Sequence, residues 1–195
     1  MLNQNFVFLG ILIQSIGGIS YLLGTLKGKI KPNKVSWLLW TATPLIAFVA
    51  EIKQGVGIQS LSTFIVGFIP LLVFIASFFN KQSAWKISRL DVICGILSFA
   101  GIILWAVTRV GNIAILFSIL ADMLAVVPTA IKSFNEPASE NDLVYLLGAV
   151  SMGITLLTIR QWNFQTYGFP AYIFIANLFI TILIRFKVGK LFKKV

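Results

Sequence analysis

The stretch LADMLAVVPTAIKS, residues 120–133, places a carboxylate and a proline inside an apolar run. Ile113 to Leu120 precede Asp122, and Met123 to Val127 follow it. A charged group at the centre of a bilayer costs about 2.5–3.5 kcal/mol on insertion scales, so such residues face a cavity or a partner within a helix bundle. Proline removes a backbone donor and usually kinks a helix. A membrane bundle tolerates this because neighbouring helices re-satisfy the freed groups. The stretch therefore predicts a bent membrane helix with a polar strip along one face.

The rest of the chain extends that reading. Its 195 residues are 58% hydrophobic and 11% charged, with a mean hydropathy of +0.93, well outside the range of soluble globular domains. A hydrocarbon core about 30 Å thick needs about 20 mostly apolar residues per spanning helix. Segments of this kind lie at 5–26, 35–52, 59–79, 91–108, 112–132, 143–159 and 169–186, and they leave no room for a soluble domain. The expected fold class is an all-α integral membrane protein with seven transmembrane helices. Residues 1–26 read as the first span, because MLNQN lacks the basic residues of a signal peptide and the apolar run is too long.

The net charge of +10 follows the topology. Lys53, Arg109 and Arg160 fall on one side of the membrane. The other side takes Lys27, Lys29, Lys31, Lys34, Lys81, Lys86, Arg89, Lys132, Arg185, Lys187, Lys190, Lys193 and Lys194. The positive-inside rule then places the N-terminus outside and the C-terminus in the cytoplasm, in the plasma (inner) membrane. The basic side attracts anionic membrane lipid, and no nucleic-acid partner is expected. A single cysteine, Cys94, forbids an internal disulfide, and the absence of histidine removes the commonest metal ligand and proton relay. No metal or cofactor is expected. Ser98, Ser118 and Asp122 have no base beside them, so the chain does not read as an enzyme. Residues 169–184 contain no lysine, which excludes a retinal Schiff base in the last helix.

An internal repeat organises the spans. Shifted by 108, Ile11 and Leu12 fall on Ile119 and Leu120, Trp37 to Leu39 on Tyr145 to Leu147, and Ile46 on Ile154. Shifted by 107, Ile52 to Gln54 fall on Ile159 to Gln161, and Leu71, Ile75 and Phe79 on Leu178, Ile182 and Phe186. Two three-helix units, 1–80 and 110–195, thus flank a linker helix at 81–109. Four spans, an even number, separate their starts and give both units the same orientation, a parallel repeat. This 3+1+3 plan resembles the SWEET sugar transporters and the wider PQ-loop family. That family carries a Pro-Gln pair near the end of the first helix of each triple. Here Pro128-Thr129 and Ser20-Tyr21 stand at those places.

Asp122 has Gln14 as its repeat mate. Residues three, four and seven apart share a helix face, so Gln14, Gly17, Gly18 and Tyr21 form one polar strip and Asp122, Ala125 and Thr129 the other. Asp122 reads as a proton carrier, as a substrate-cavity group, or as an acid pinned to Gln14 or a backbone carbonyl between helices; Glu51, at a span end, reads as interfacial. On the second span Trp37, Trp40, Thr41 and Pro44 share a face, matched by Tyr145, Gly148, Ala149 and Met152. Aromatic faces stack on sugars and heterocycles, and Trp40 is the cavity candidate, with Trp37 and Tyr145 nearer the span ends. Trp85, Trp162 and Tyr167 read as interfacial anchors. The resemblance implies that Asn177 matches a family asparagine flanking the sugar, with Pro70 at the other half's position. It also implies hinges at Pro44 and Pro128. The expected function is alternating-access transport of a small, mostly neutral polar solute, sugar-like by resemblance and proton-coupled if Asp122 carries the proton. Gln14, Tyr21, Trp40, Asp122, Thr129, Tyr145 and Asn177 are the substrate-binding candidates. The alternative is a seven-helix receptor or membrane scaffold of the same fold, and a homo-oligomer is compatible with either.

Overall fold

The computed structural model describes residues 2–79, 86–108 and 111–192. Lys81, Trp85, Arg109, Lys193 and Lys194, used above, lie outside the described residues, as does the side chain of Ser98. All regular structure among the described residues is helical: α1 (Phe6–Leu26), α2 (Lys34–Lys53), α3 (Ser60–Ala76), α4 (Arg89–Thr108), α5 (Gly111–Asn135), α6 (Asp142–Thr158), α7 (Phe164–Arg185) and the short α8 (Val188–Phe192), with a 3-10 turn at Pro137–Ser139. Four of these, α1, α2, α5 and α7, are long and apolar enough to cross a membrane; α3 and α6 are apolar and somewhat shorter.

Local chemistry sets the helix ends. Asn33 accepts from the Val35 and Ser36 amides, Asn141 from Leu143, and Asn163 forms a reciprocal box with Thr166, each satisfying donors that a helix start leaves unpaired. Helix α1 ends where Gly28 takes φ +70°. The Gly28 and Lys29 amides then turn back onto the Thr25 and Gly24 carbonyls, a left-handed cap that only glycine adopts without strain.

The solvent preference of the bundle is inverted. The outward face of α1 is apolar, with Phe8, Leu12, Ile16 and Ile19 all more than half exposed. The interior holds Gln14, Thr43, Glu51, Ser62, Thr63, Ser118, Asp122, Thr129, Lys132, Ser151 and Thr155. Water rewards the opposite arrangement. This distribution, with several long apolar helices, is consistent with a membrane-embedded protein. Trp162, exposed and stacked on Tyr167 at 5.7 Å, is suited to a membrane–water boundary.

Packing follows a regular scheme. Helix α3 lies against both α1 and α2, and α7 against both α5 and α6. Across the two groups, α1 packs on α6 and α2 on α5, while α4 leans on α5 and α2. The α1–α6 crossing is close because glycine lines it. A Cβ on Gly17 would stand 3.0 Å from the Val144 backbone, and one on Gly10 would stand 3.1 Å from Ser151. Small residues allow such approach in membrane bundles.

Pro44 and Pro128 both lie buried inside their helices. Near the second, Thr129 Oγ1 donates to Ser36 Oγ at 3.1 Å, and Ser36 Oγ donates to the Ala125 carbonyl at 2.8 Å. This two-hydroxyl relay ties α2 to the turn of α5 that the proline disturbs. Helix α4 is fixed by its first turn. Asp91 accepts from Ser88 N, and Ser88 Oγ accepts from the Asp91 amide, at 2.5 and 3.2 Å. Asp91 also takes a 2.5 Å hydrogen bond from Asn33 Nδ2. Asp91 thus caps α4 and pins it to the cap of α2.

Because Asn33 serves both helices, Asn33→Ala should lower stability by about 1–3 kcal/mol, the sum of a lost cap and an orphaned buried acceptor. Asp91→Ala added to it should cost clearly less than alone. Thermal unfolding of the two single variants and the double in one detergent measures this, and strict additivity would contradict it.

Candidate functional site

A cavity of about 70 Å³ lies between the two groups of three helices. Gln14 of α1, Trp37 and Trp40 of α2, and Pro70 of α3 line it from one side; Asp122 of α5, Tyr145 and Gly148 of α6, and Asn177 of α7 line it from the other. It holds a few waters by volume. Of the residues singled out in the sequence, Gln14, Trp40, Asp122, Tyr145 and Asn177 line this cavity, and Tyr21 and Thr129 do not.

Asp122 is 2% exposed and held by two hydroxyls. Thr43 Oγ1 lies 2.6 Å from Oδ1, and Tyr172 OH donates to Oδ2 at 2.7 Å. Of the three readings of Asp122, the one that ties it to Gln14 or a carbonyl has other partners here, Thr43 and Tyr172. Thr43 Oγ1 is also 2.9 Å from the Leu39 carbonyl, and a hydroxyl has one proton. With Asp122 ionised, Thr43 donates to Oδ1. With a proton on Oδ1, Asp122 donates to Thr43 and Thr43 to Leu39. The same geometry completes its hydrogen bonds in both protonation states.

Gln14 Oε1 is buried with no hydrogen-bond partner among the described residues, an expensive condition for a polar atom away from water. The Asn177 amide lies in the space that the missing side chain of Gly148 leaves, and a Cβ there would come within 2.7 Å of Nδ2. Gly148 is the repeat mate of Trp40, so one half contributes a ring at this level and the other a recess filled by an amide.

Aromatic rings close the cavity toward the end where α1 and α5 finish. Trp37 and Trp40 centroids stand 5.4 Å apart, Trp40 and Tyr145 6.2 Å, and Tyr21 and Trp37 4.5 Å. Beneath them lies a buried charged cluster. Lys132 Nζ meets Glu140 Oε1 at 2.6 Å, both side chains fully enclosed, and also donates to the Lys31 carbonyl. Tyr21 OH donates to Glu140 Oε2 at 2.8 Å, and Tyr145 OH approaches the same oxygen at 3.4 Å. Tyr21, a substrate-binding candidate from the sequence, instead belongs to this cluster, and Thr129 to the hydroxyl relay between α2 and α5. Lys132, counted above among the surface charges, is internally neutralised.

The opposite end is closed by weaker means. Ser62 and Thr155 hydroxyls meet at 2.8 Å between α3 and α6, and Gln59 Nε2 reaches the Thr158 carbonyl at 3.4 Å. Ala47, Val66, Ile115, Met152, Phe169 and Ile173 form the apolar layer there. Glu51 is not interfacial as expected: it is 1% exposed, taking one hydrogen bond from Thr63 Oγ1 at 3.1 Å.

Sequence reading missed Thr43, Tyr172, Glu140 and the burial of Glu51. Thr43 carried a signal, since Trp40, Thr43 and Ala47 share a helical face. Glu140 sits between a turn and a helix cap, where nothing local marks burial.

Removing one member of a buried ion pair leaves an uncompensated charge and costs about 3–5 kcal/mol, whereas apolar replacement of both is often neutral or stabilising. Lys132→Met should therefore unfold at markedly lower temperature than the parent protein, and Lys132→Met with Glu140→Met should recover most of the loss. Equal destabilisation by the double variant would show that the cluster is not acting as a pair. No protein-family model, curated protein or solved structure matches the chain.

Proposed function

We propose that the chain is a SWEET-like, PQ-loop-like transporter. In this reading seven transmembrane helices form two parallel three-helix repeats, α1–α3 and α5–α7, joined by α4. The N-terminus faces outside and the C-terminus the cytoplasm of the plasma membrane. The transported species is a small, mostly neutral polar solute, with sugar as the candidate that the resemblance implies.

The observation that carries this is the position of the cavity. It lies between α1–α3 and α5–α7, takes polar residues from both, and is closed at each end by contacts that cross from one group to the other. The packing scheme supports the repeat: within each group the third helix touches the first and second, and the cross-group pairs α1–α6 and α2–α5 exchange under a two-fold operation. Rocking of one unit against the other would break one end's contacts and keep the other's, which is alternating access. Pro44 and Pro128 supply the bending points. Asp122, able to complete its hydrogen bonds with or without a proton, is where a proton gradient would couple.

Purified protein in liposomes tests the reading. At least one small polar solute should show saturable flux, reduced about tenfold or more by Asn177→Ala or Asp122→Asn, losses of about 1.4 kcal/mol each. Imposed acid outside should accelerate uptake in the parent protein and not in Asp122→Asn. Saturable binding without flux would assign a receptor or scaffold instead. A green fluorescent protein fused to the C-terminus should fluoresce in cells, and a tag at the N-terminus should be reached from outside; the reverse would overturn the orientation.

A further inference from the structure

The charge and chemistry of the cavity narrow its ligand. Among the described residues that line it, Asp122 is the one acidic group, and no lysine or arginine is present; the chain has no histidine. The nearest basic side chain at the sealed end, Lys132, is already neutralised by Glu140. Asp122, when ionised, is therefore the group that sets the sign of charge inside the cavity.

Its walls are mostly apolar and aromatic. Trp37, Trp40 and Tyr145 pack edge to face around one end, and indole and phenol faces attract cations, most strongly where water is excluded. Gln14 Oε1 adds a buried acceptor awaiting a donor. Each Asp122 oxygen already takes one hydroxyl, which orients the carboxylate, and each keeps lone-pair capacity for another donor. Acceptors, one negative charge and ring faces converge, with no opposing cation. Asp122 opposes an anion, although the N–H-bearing residues Gln14, Asn177 and Trp37 also line the cavity.

We infer that this cavity binds a small organic amine, in which one protonated ammonium group pairs with Asp122 and Gln14 and an uncharged body lies against Trp40 and Tyr145. The inference rests on the transport reading only for calling the ligand a solute; binding at this site is claimed independently.

Three probes of equal size separate the possibilities: benzylammonium, benzyl alcohol and benzoate. Isothermal titration on the full chain in lipid nanodiscs at neutral pH should give benzylammonium an affinity at least about tenfold above benzyl alcohol, with benzoate weakest. In Asp122→Asn the ammonium preference should vanish while the alcohol's affinity changes little. Trp40→Leu, which removes the ring and keeps an apolar side chain, should also reduce that preference, so the claim stays testable if Asp122→Asn fails to fold. Equal affinity for the ammonium and the alcohol, tightest binding of benzoate, binding of none of the three, or an ammonium preference that survives both substitutions would overturn it. Liposome flux of labelled benzylammonium, measured beside the titrations, keeps the two readings apart. Binding with the expected preference and no flux upholds the amine site and refutes transport. Flux of a neutral solute with no ammonium preference does the reverse.

Discussion

Asp122 in its cage of Thr43 and Tyr172 hydroxyls is the constraint around which the bundle is arranged. In hydrocarbon a buried carboxylate must find its donors within the protein. Those donors come from different helices, so the acid fixes α5 against α2 and α7 together. The same requirement repeats at other depths. Ser36 and Thr129 serve the α5 backbone beside Pro128, and Lys132, Glu140, Tyr21 and Tyr145 satisfy one another at the sealed end. The interior is a stack of small polar networks separated by apolar layers, and the cavity is the level where partners run short.

The two closures differ in kind. One is a buried ion pair with two tyrosines and a carbonyl, which must be taken apart as a unit because any single member left behind is an unpaired polar group. The other is a hydroxyl pair, a long amide contact and an apolar layer that can separate with little electrostatic cost. Within the account proposed here, the weaker end opens more readily. Solute arrival at the cavity then competes with resealing at that end. Opening of the charged end waits on displacement of Tyr145, whose ring also lines the cavity.

Much of this layout was legible in the chain itself, because long apolar segments broken by single polar residues give a strong signal. The apolar segments at 5–26, 35–52 and 143–159 correspond to helices Phe6–Leu26, Lys34–Lys53 and Asp142–Thr158. Gln14, Trp40, Asp122 and Asn177 stood out because a polar or bulky aromatic residue in such a run is costly unless it has a purpose. What escaped notice were residues whose role depends on a partner far along the chain. Glu140 meets Tyr21 across 119 positions, and Tyr172 meets Asp122 across 50. Glu51 looked interfacial from its place near a helix end, but Thr63 of the next helix covers it. Depth along a helix can be read from one sequence; which neighbour covers a side chain there cannot.

The central claim is that the cavity opens alternately to both sides of the membrane. Its most direct test is a single cysteine at the cavity, Asn177→Cys in a Cys94→Ser background, in sealed vesicles of known orientation. A membrane-impermeant thiol reagent should modify it when applied from outside and, separately, when loaded inside, and the two rates should shift in opposite directions when one end is cross-linked. Modification from one side only, or from neither, in folded protein would contradict the account.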